Sequence, residues 1–69
     1  MKVKELTKKL ALNTHYLIKY KDSIILSEEG TITSKKYICL FNGHYSVDNV
    51  YIENDKIVIE ASNHERTRQ

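Results

Sequence analysis

Between residues 2 and 12 the apolar side chains Val3, Leu6 and Leu10 recur at three- and four-residue spacing, while Lys4, Glu5, Lys8 and Lys9 take the other faces. That spacing predicts an amphipathic helix of about three turns. Asn13 suits its C-cap, and Lys8 and Lys9 complement the helix dipole near that end. A helix this short does not hold in isolation, so its apolar stripe must dock on the rest of the fold.

From residue 15 to 20 the period changes to two, with Tyr16, Ile18 and Tyr20 on one side and Leu17 between His15 and Lys19 on the other. This is the pattern of a half-buried strand. Lys21-Asp22-Ser23 reads as a turn, and Ile24-Ile25-Leu26 within residues 23–27 as a second strand, its register open between Ile18 facing Ile25 and Tyr20 facing Ile25. Glu28-Glu29-Gly30 interrupts the pattern, which predicts a bulge or turn at Gly30 before Thr31-Ile32-Thr33 resumes β-branched residues. Residues 37–41 are strongly apolar, and Asn42-Gly43 signals a hairpin returning through His44-Tyr45-Ser46-Val47, with a helical turn or loop at 37–44 as the alternative.

The most constrained stretch is the last. Residues 50–53 and 56–60 flank Asn54-Asp55, two residues that tolerate positive φ. A two-residue turn there sets Glu53 opposite Lys56, Ile52 opposite Ile57 and Val50 opposite Ile59. Tyr51 then pairs with Val58 on the second face. Together these elements predict an α+β fold: one N-terminal helix packed on a mainly antiparallel sheet of four to five strands. Residues 1–62 form the single domain, and 63–69 a polar, frayed tail.

Length sharpens this reading. A chain of 69 residues buries only about 60% of the surface its unfolded form exposes, so nearly every Val, Ile and Leu is expected in the core. Association into a homodimer is one further way to hide apolar surface. The net charge of +2 conceals a polarity along the chain: residues 1–21 carry six lysines against Glu5, a balance of +5, and residues 22–65 carry eight acids against three lysines, a balance of −5. A basic segment of that kind binds phosphate, or complements the acidic remainder of its own fold.

Candidate chemistry is sparse. Cys39 is the only cysteine, which excludes an intrachain disulfide and points to a reducing, cytoplasmic setting. No apolar run approaches the ~18 residues of a membrane span, and the charged start lacks a signal-peptide core, so a soluble, non-exported chain is expected. Cys39 and His44 flank the Asn42-Gly43 turn and form the sole nucleophile-and-base pairing, but Cys39 between Ile38 and Leu40 reads as a small core residue. His15, His44 and His64 lack metal-ligand spacing, and two glycines cannot build a phosphate-cradling loop. No catalytic residue, metal site or cofactor is therefore assigned.

Five tyrosines suit a contact surface, since tyrosine combines an apolar ring with a polar tip. Tyr45 and Tyr51 are the expected partner-binding residues. The alternative is a nucleic-acid surface built from Lys2, Lys4, Lys8, Lys9, Lys19 and Lys21, with Tyr16 and Tyr20 interleaved for base stacking.

Val3-Lys4-Glu5-Leu6 at the start, and the V-x-I-x-x-D-x-I-x-I pattern from Val50 to Ile59, resemble small uncharacterised α+β proteins encoded by phages and prophages of low-GC Gram-positive bacteria. The resemblance covers the two ends and not residues 30–47. It implies a cytoplasmic accessory protein that binds, and modulates or inhibits, a host or defence protein. It carries over no site residues.

Overall fold

The computed structural model describes residues 1–34 and 38–63. Chain order is α1 (Val3–Lys9), β1 (His15–Lys21), β2 (Ser27–Thr31), β3 (Ser46–Glu53) and β4 (Lys56–Ser62). The four strands form one sheet in the order β2-β1-β4-β3. Both outer pairs are antiparallel, whereas the central pair, β1 with β4, is parallel. The fold is α+β with a mixed sheet. The start of the tail expected at 63–69 is described only at Asn63; His64 and the residues after it lie outside the described residues.

Parallel pairing at the centre follows from where the apolar faces lie. Tyr16, Ile18 and Tyr20 stand beside Ile57, Ile59 and Ala61, and this register joins two apolar strand faces into one floor. Val3 of the helix closes over it, with Leu6 and Leu10 packed at its border. Ile32 and Tyr45, from the connection between β2 and β3, complete the cluster. That connection travels from one rim of the sheet to the other, and it supplies core residues without forming a strand at 38–40. The strand expected at 37–41 is thus replaced by loop, turning at 41–44; Tyr37, its first residue, lies outside the described residues.

The helix is shorter than the pattern predicts. It ends at Lys9, and Leu10 is already extended at φ −76° and ψ 147°. Asn13 takes the left-handed conformation, φ 70°, in the turn beyond rather than at the helix end. At the other end the first-turn amides find partners: Val3 N–H donates to Tyr45 O and Lys4 N–H to Gly43 O, each at 2.9 Å. Lys2 N–H donates to Glu5 Oε1 at 2.8 Å, and that bond holds the Glu5 carboxyl below its ordinary acidity range. Thr7, a polar residue on the buried side, satisfies its hydroxyl on Val3 O at 3.1 Å.

The second strand required correction. Ile24, Ile25 and Leu26 lie in the loop, and β2 begins only at Ser27, with Ile18 opposite Glu28 and Lys19 opposite Ser27. Two devices allow so polar a sequence to be a strand. Gly30 lies opposite Tyr16, and a Cβ there would stand 2.6 Å from the Tyr16 hydroxyl. Glu28 points to the core side, where its carboxylate accepts bonds from the Tyr20 hydroxyl and from Phe41 N–H. The terminal hairpin matches its predicted register at every pair from Val50↔Ile59 to Glu53↔Lys56. Asn54 and Asp55 both take positive φ, 54° and 62°, as a type I′ turn requires.

Burial and the bond to Glu28 both push the Tyr20 phenol well above its ordinary range, and burial does the same to Tyr16. The folded chain therefore keeps protons that the unfolded chain releases near pH 10. Stability should hold steady below that pH and fall above it, by up to about 1.4 kcal/mol per pH unit for each such tyrosine. Urea midpoints measured from neutral to strongly alkaline pH should show this decline, and Tyr20→Phe should flatten it. An unchanged slope in that variant would contradict the assignment.

Candidate interaction surfaces

Strand alternation divides the chemistry between two faces. The face away from the helix carries Lys19, Tyr51 and Glu60 in a row: Lys19 Nζ donates to the Tyr51 hydroxyl, which donates to Glu60 Oε2, each at 3.4 Å. The Tyr51 contact, with Glu53 and Glu60 nearby, raises the Lys19 ammonium above its ordinary range. Nearer β2, Lys56 pairs with Glu29, and the Thr31 hydroxyl meets His15 Nδ1 at 3.0 Å. Val58 is buried on this face with Leu17 and Tyr51 as its lateral neighbours. Tyr51 thus stands where alternation put it.

At the end of that face a cleft of about 530 Å³ opens between Lys19, Lys21, Asp48, Glu60 and Ser62. The Ser62 hydroxyl donates to Asp48 Oδ2 at 2.7 Å. The cleft therefore gathers both signs of charge, with Lys19 and Lys21 beside Asp48 and Glu60. Among the described residues no three His, Cys, Asp or Glu side chains gather as metal ligands.

Three sequence expectations change. Tyr45 is only 6% exposed and packs edge-on against Tyr20 at 5.4 Å; its ring belongs to the core, because its carbonyl is pinned to the first helical turn. Cys39, read as a core residue, is exposed. It lines a shallow hollow with Tyr16, Thr31, Ile32, Thr33 and Ile38, whereas the His44 ring packs on Tyr45 at 5.0 Å. The six lysines also do not converge. Lys2, Lys4, Lys8 and Lys9 belong to the helix layer, while Lys19 and Lys21 alternate with core residues of β1 and so project from the opposite face.

The surface that sequence reasoning missed lies at the β1–β2 loop. Ile24 is 98% exposed, Leu26 72% and Phe41 64%. The loop is held in place: Asp22 adopts φ 61°, Tyr20 N–H donates to Leu26 O at 2.8 Å, and Ser23 Oγ accepts Ile25 N–H at 3.1 Å. Asn42 Nδ2 donates to the same Ser23 oxygen at 3.0 Å, tying the Phe41 turn to this loop. Three large apolar side chains are thereby presented to solvent on anchored backbone.

No family model matches this chain, and neither a curated protein nor a solved structure matches it. No helix among the described residues is long and apolar enough to cross a membrane.

Proposed function

We propose that this chain is a non-enzymatic interaction module that binds a protein partner, in the manner of a phage or prophage accessory protein that modulates or inhibits a host or defence protein. One observation carries the reading: Ile24, Leu26 and Phe41 stand exposed on two loops tied together through Ser23 and Asn42. Ordered apolar side chains gain most when a partner removes them from water, and anchoring lowers the entropy lost on binding. Tyr51, with its hydroxyl already oriented between Lys19 and Glu60, is a second contact residue on the far face.

The test compares the wild-type chain with Ile24→Ser/Leu26→Ser/Phe41→Ser as bait in an extract of the source organism. A particular protein should be enriched by the wild type and lost from the variant, and its purified form should bind the variant at least about thirtyfold more weakly, the scale of one interface hot spot. Since the side chains are exposed, the variant's urea midpoint should stay within about 0.5 kcal/mol of wild type. A folded variant that retains the same partner at the same affinity overturns the proposal.

A further inference from the structure

Strand β3 is one rim of the sheet, and the start of the chain already covers part of it. Met1 O accepts Val47 N–H at 2.8 Å, and Lys2 bridges Ser46. Beyond the register shift between Val47 and Asn49, the rim from Asn49 to Glu53 is the sheet's outer edge among the described residues.

The ladder decides which backbone groups point outward. Bonded and non-bonded pairs alternate along antiparallel strands, and the pair flanking a two-residue turn is a bonded one. Glu53 and Lys56 flank the turn, so Glu53, Tyr51 and Asn49 direct their amides and carbonyls toward β4. Val50 and Ile52 direct theirs outward. The outward bond from Val47 to Met1 fits the same alternation carried past the shift. Val50 and Ile52 also hold exposed apolar side chains, Ile52 at 71%, on the face that bears the helix. Residues 49–53 contain none of the proline or lysine that commonly guards an edge.

We infer that two copies of this chain pair through the free edges of their β3 strands, antiparallel and centred on Tyr51, to make one continuous sheet. In that register Val50 faces Ile52 of the partner subunit, and Ile52 faces Val50 of the partner subunit. Both are bonded pairs, each exchanging two N–H···O bonds, and each sets apolar side chains together on the helix face. Glu53 meets Asn49 of the partner subunit, so no like charges oppose. Other symmetric registers do worse. Centring on Ile52 sets Val50 against Asn54 of the partner subunit, inside its turn, and centring on Val50 brings Glu53 of the partner subunit onto Val47, where Met1 already lies. The free edge is thus complementary to itself in one register, which favours a second copy over an unrelated strand.

The test uses Cys39→Ser to remove the native thiol. In that background Tyr51→Cys places two sulfurs across the two-fold axis at a non-bonded pair, where Cα atoms stand about 4.5 Å apart, within disulfide reach. Mild oxidation with oxidised glutathione should convert Tyr51→Cys to a covalent dimer, and should convert Glu53→Cys about tenfold less, since its two copies lie far apart in this register. Sedimentation of the wild type at millimolar concentration should give twice 8.1 kDa, and Ile52→Lys should weaken that dimer about tenfold or more with its circular dichroism unchanged. A wild type that stays monomeric overturns the inference, as does equal cross-linking of both cysteine variants. So does a dimer that survives Ile52→Lys but is lost in Ile24→Ser/Leu26→Ser, which assigns self-association to the loop surface. Because Ile24, Leu26 and Phe41 lie outside the β3 edge, loss of partner binding in their triple variant and loss of the dimer in Ile52→Lys are read separately.

Discussion

Ile18→Ala should lower stability by about 2 to 5 kcal/mol, near the upper end of that range. Ile18 is fully buried in the central strand, beside Ile59 across the parallel pair and beneath the helix. Relaxation is restricted there, since strands on both sides fix the backbone and close-packed interiors collapse only partly around a deleted side chain. At roughly 0.05 to 0.15 kcal/mol per residue, a chain of this length has only about 3 to 10 kcal/mol in total, so the variant should populate the unfolded state measurably at room temperature. Urea denaturation measures this as a lower midpoint with an unchanged slope. Ile24→Ala provides the contrast, with a change within about 0.5 kcal/mol expected. Equal losses in the two variants would mean that the loop isoleucine is in the core and the strand assignment is wrong.

That contrast marks where local sequence stops specifying this fold. Alternation correctly placed Tyr16, Ile18 and Tyr20 on the buried face, and Asn54-Asp55 set the hairpin register because both residues accept positive φ. Ile24-Ile25-Leu26 has equally strong strand propensity, yet it forms a loop, because propensity records fit to a pleated, half-covered surface and no neighbour supplies one there. The premise that a short chain must bury nearly all its aliphatic residues failed at the same place, and with it the means of finding the apolar surface at Ile24, Leu26 and Phe41. Tyr45 reads locally as a returning strand residue; its burial comes from a bond to the helix N-terminus, a contact distant in sequence. The parallel pairing of β1 with β4 is likewise encoded only in the match between two separated apolar faces. Tyr51 was legible because the hairpin register alone fixes its face.

Gly30→Val should cost about 3 kcal/mol, and Gly30→Ala between about 1 and 3 kcal/mol, the range for overpacking a filled site. Strand propensity alone predicts the opposite, since β-branched residues normally favour a strand over glycine. The deciding contact is Tyr16, whose hydroxyl and Cζ would lie 2.6 and 2.9 Å from an added Cβ. The tyrosine ring cannot simply swing away, because it is buried in the central strand among the core residues. Its displacement would also loosen the β1–β2 register that carries Glu28 to the Tyr20 hydroxyl and to Phe41 N–H, and hence the position of the exposed apolar loops. A double-mutant cycle isolates this cause. Tyr16→Phe removes the nearer of the two atoms, so Gly30→Ala should be less damaging in that background by about 0.5 kcal/mol or more, within the range for side chains in contact. Purely additive urea midpoints would show that glycine is needed at this position for some reason other than the tyrosine above it.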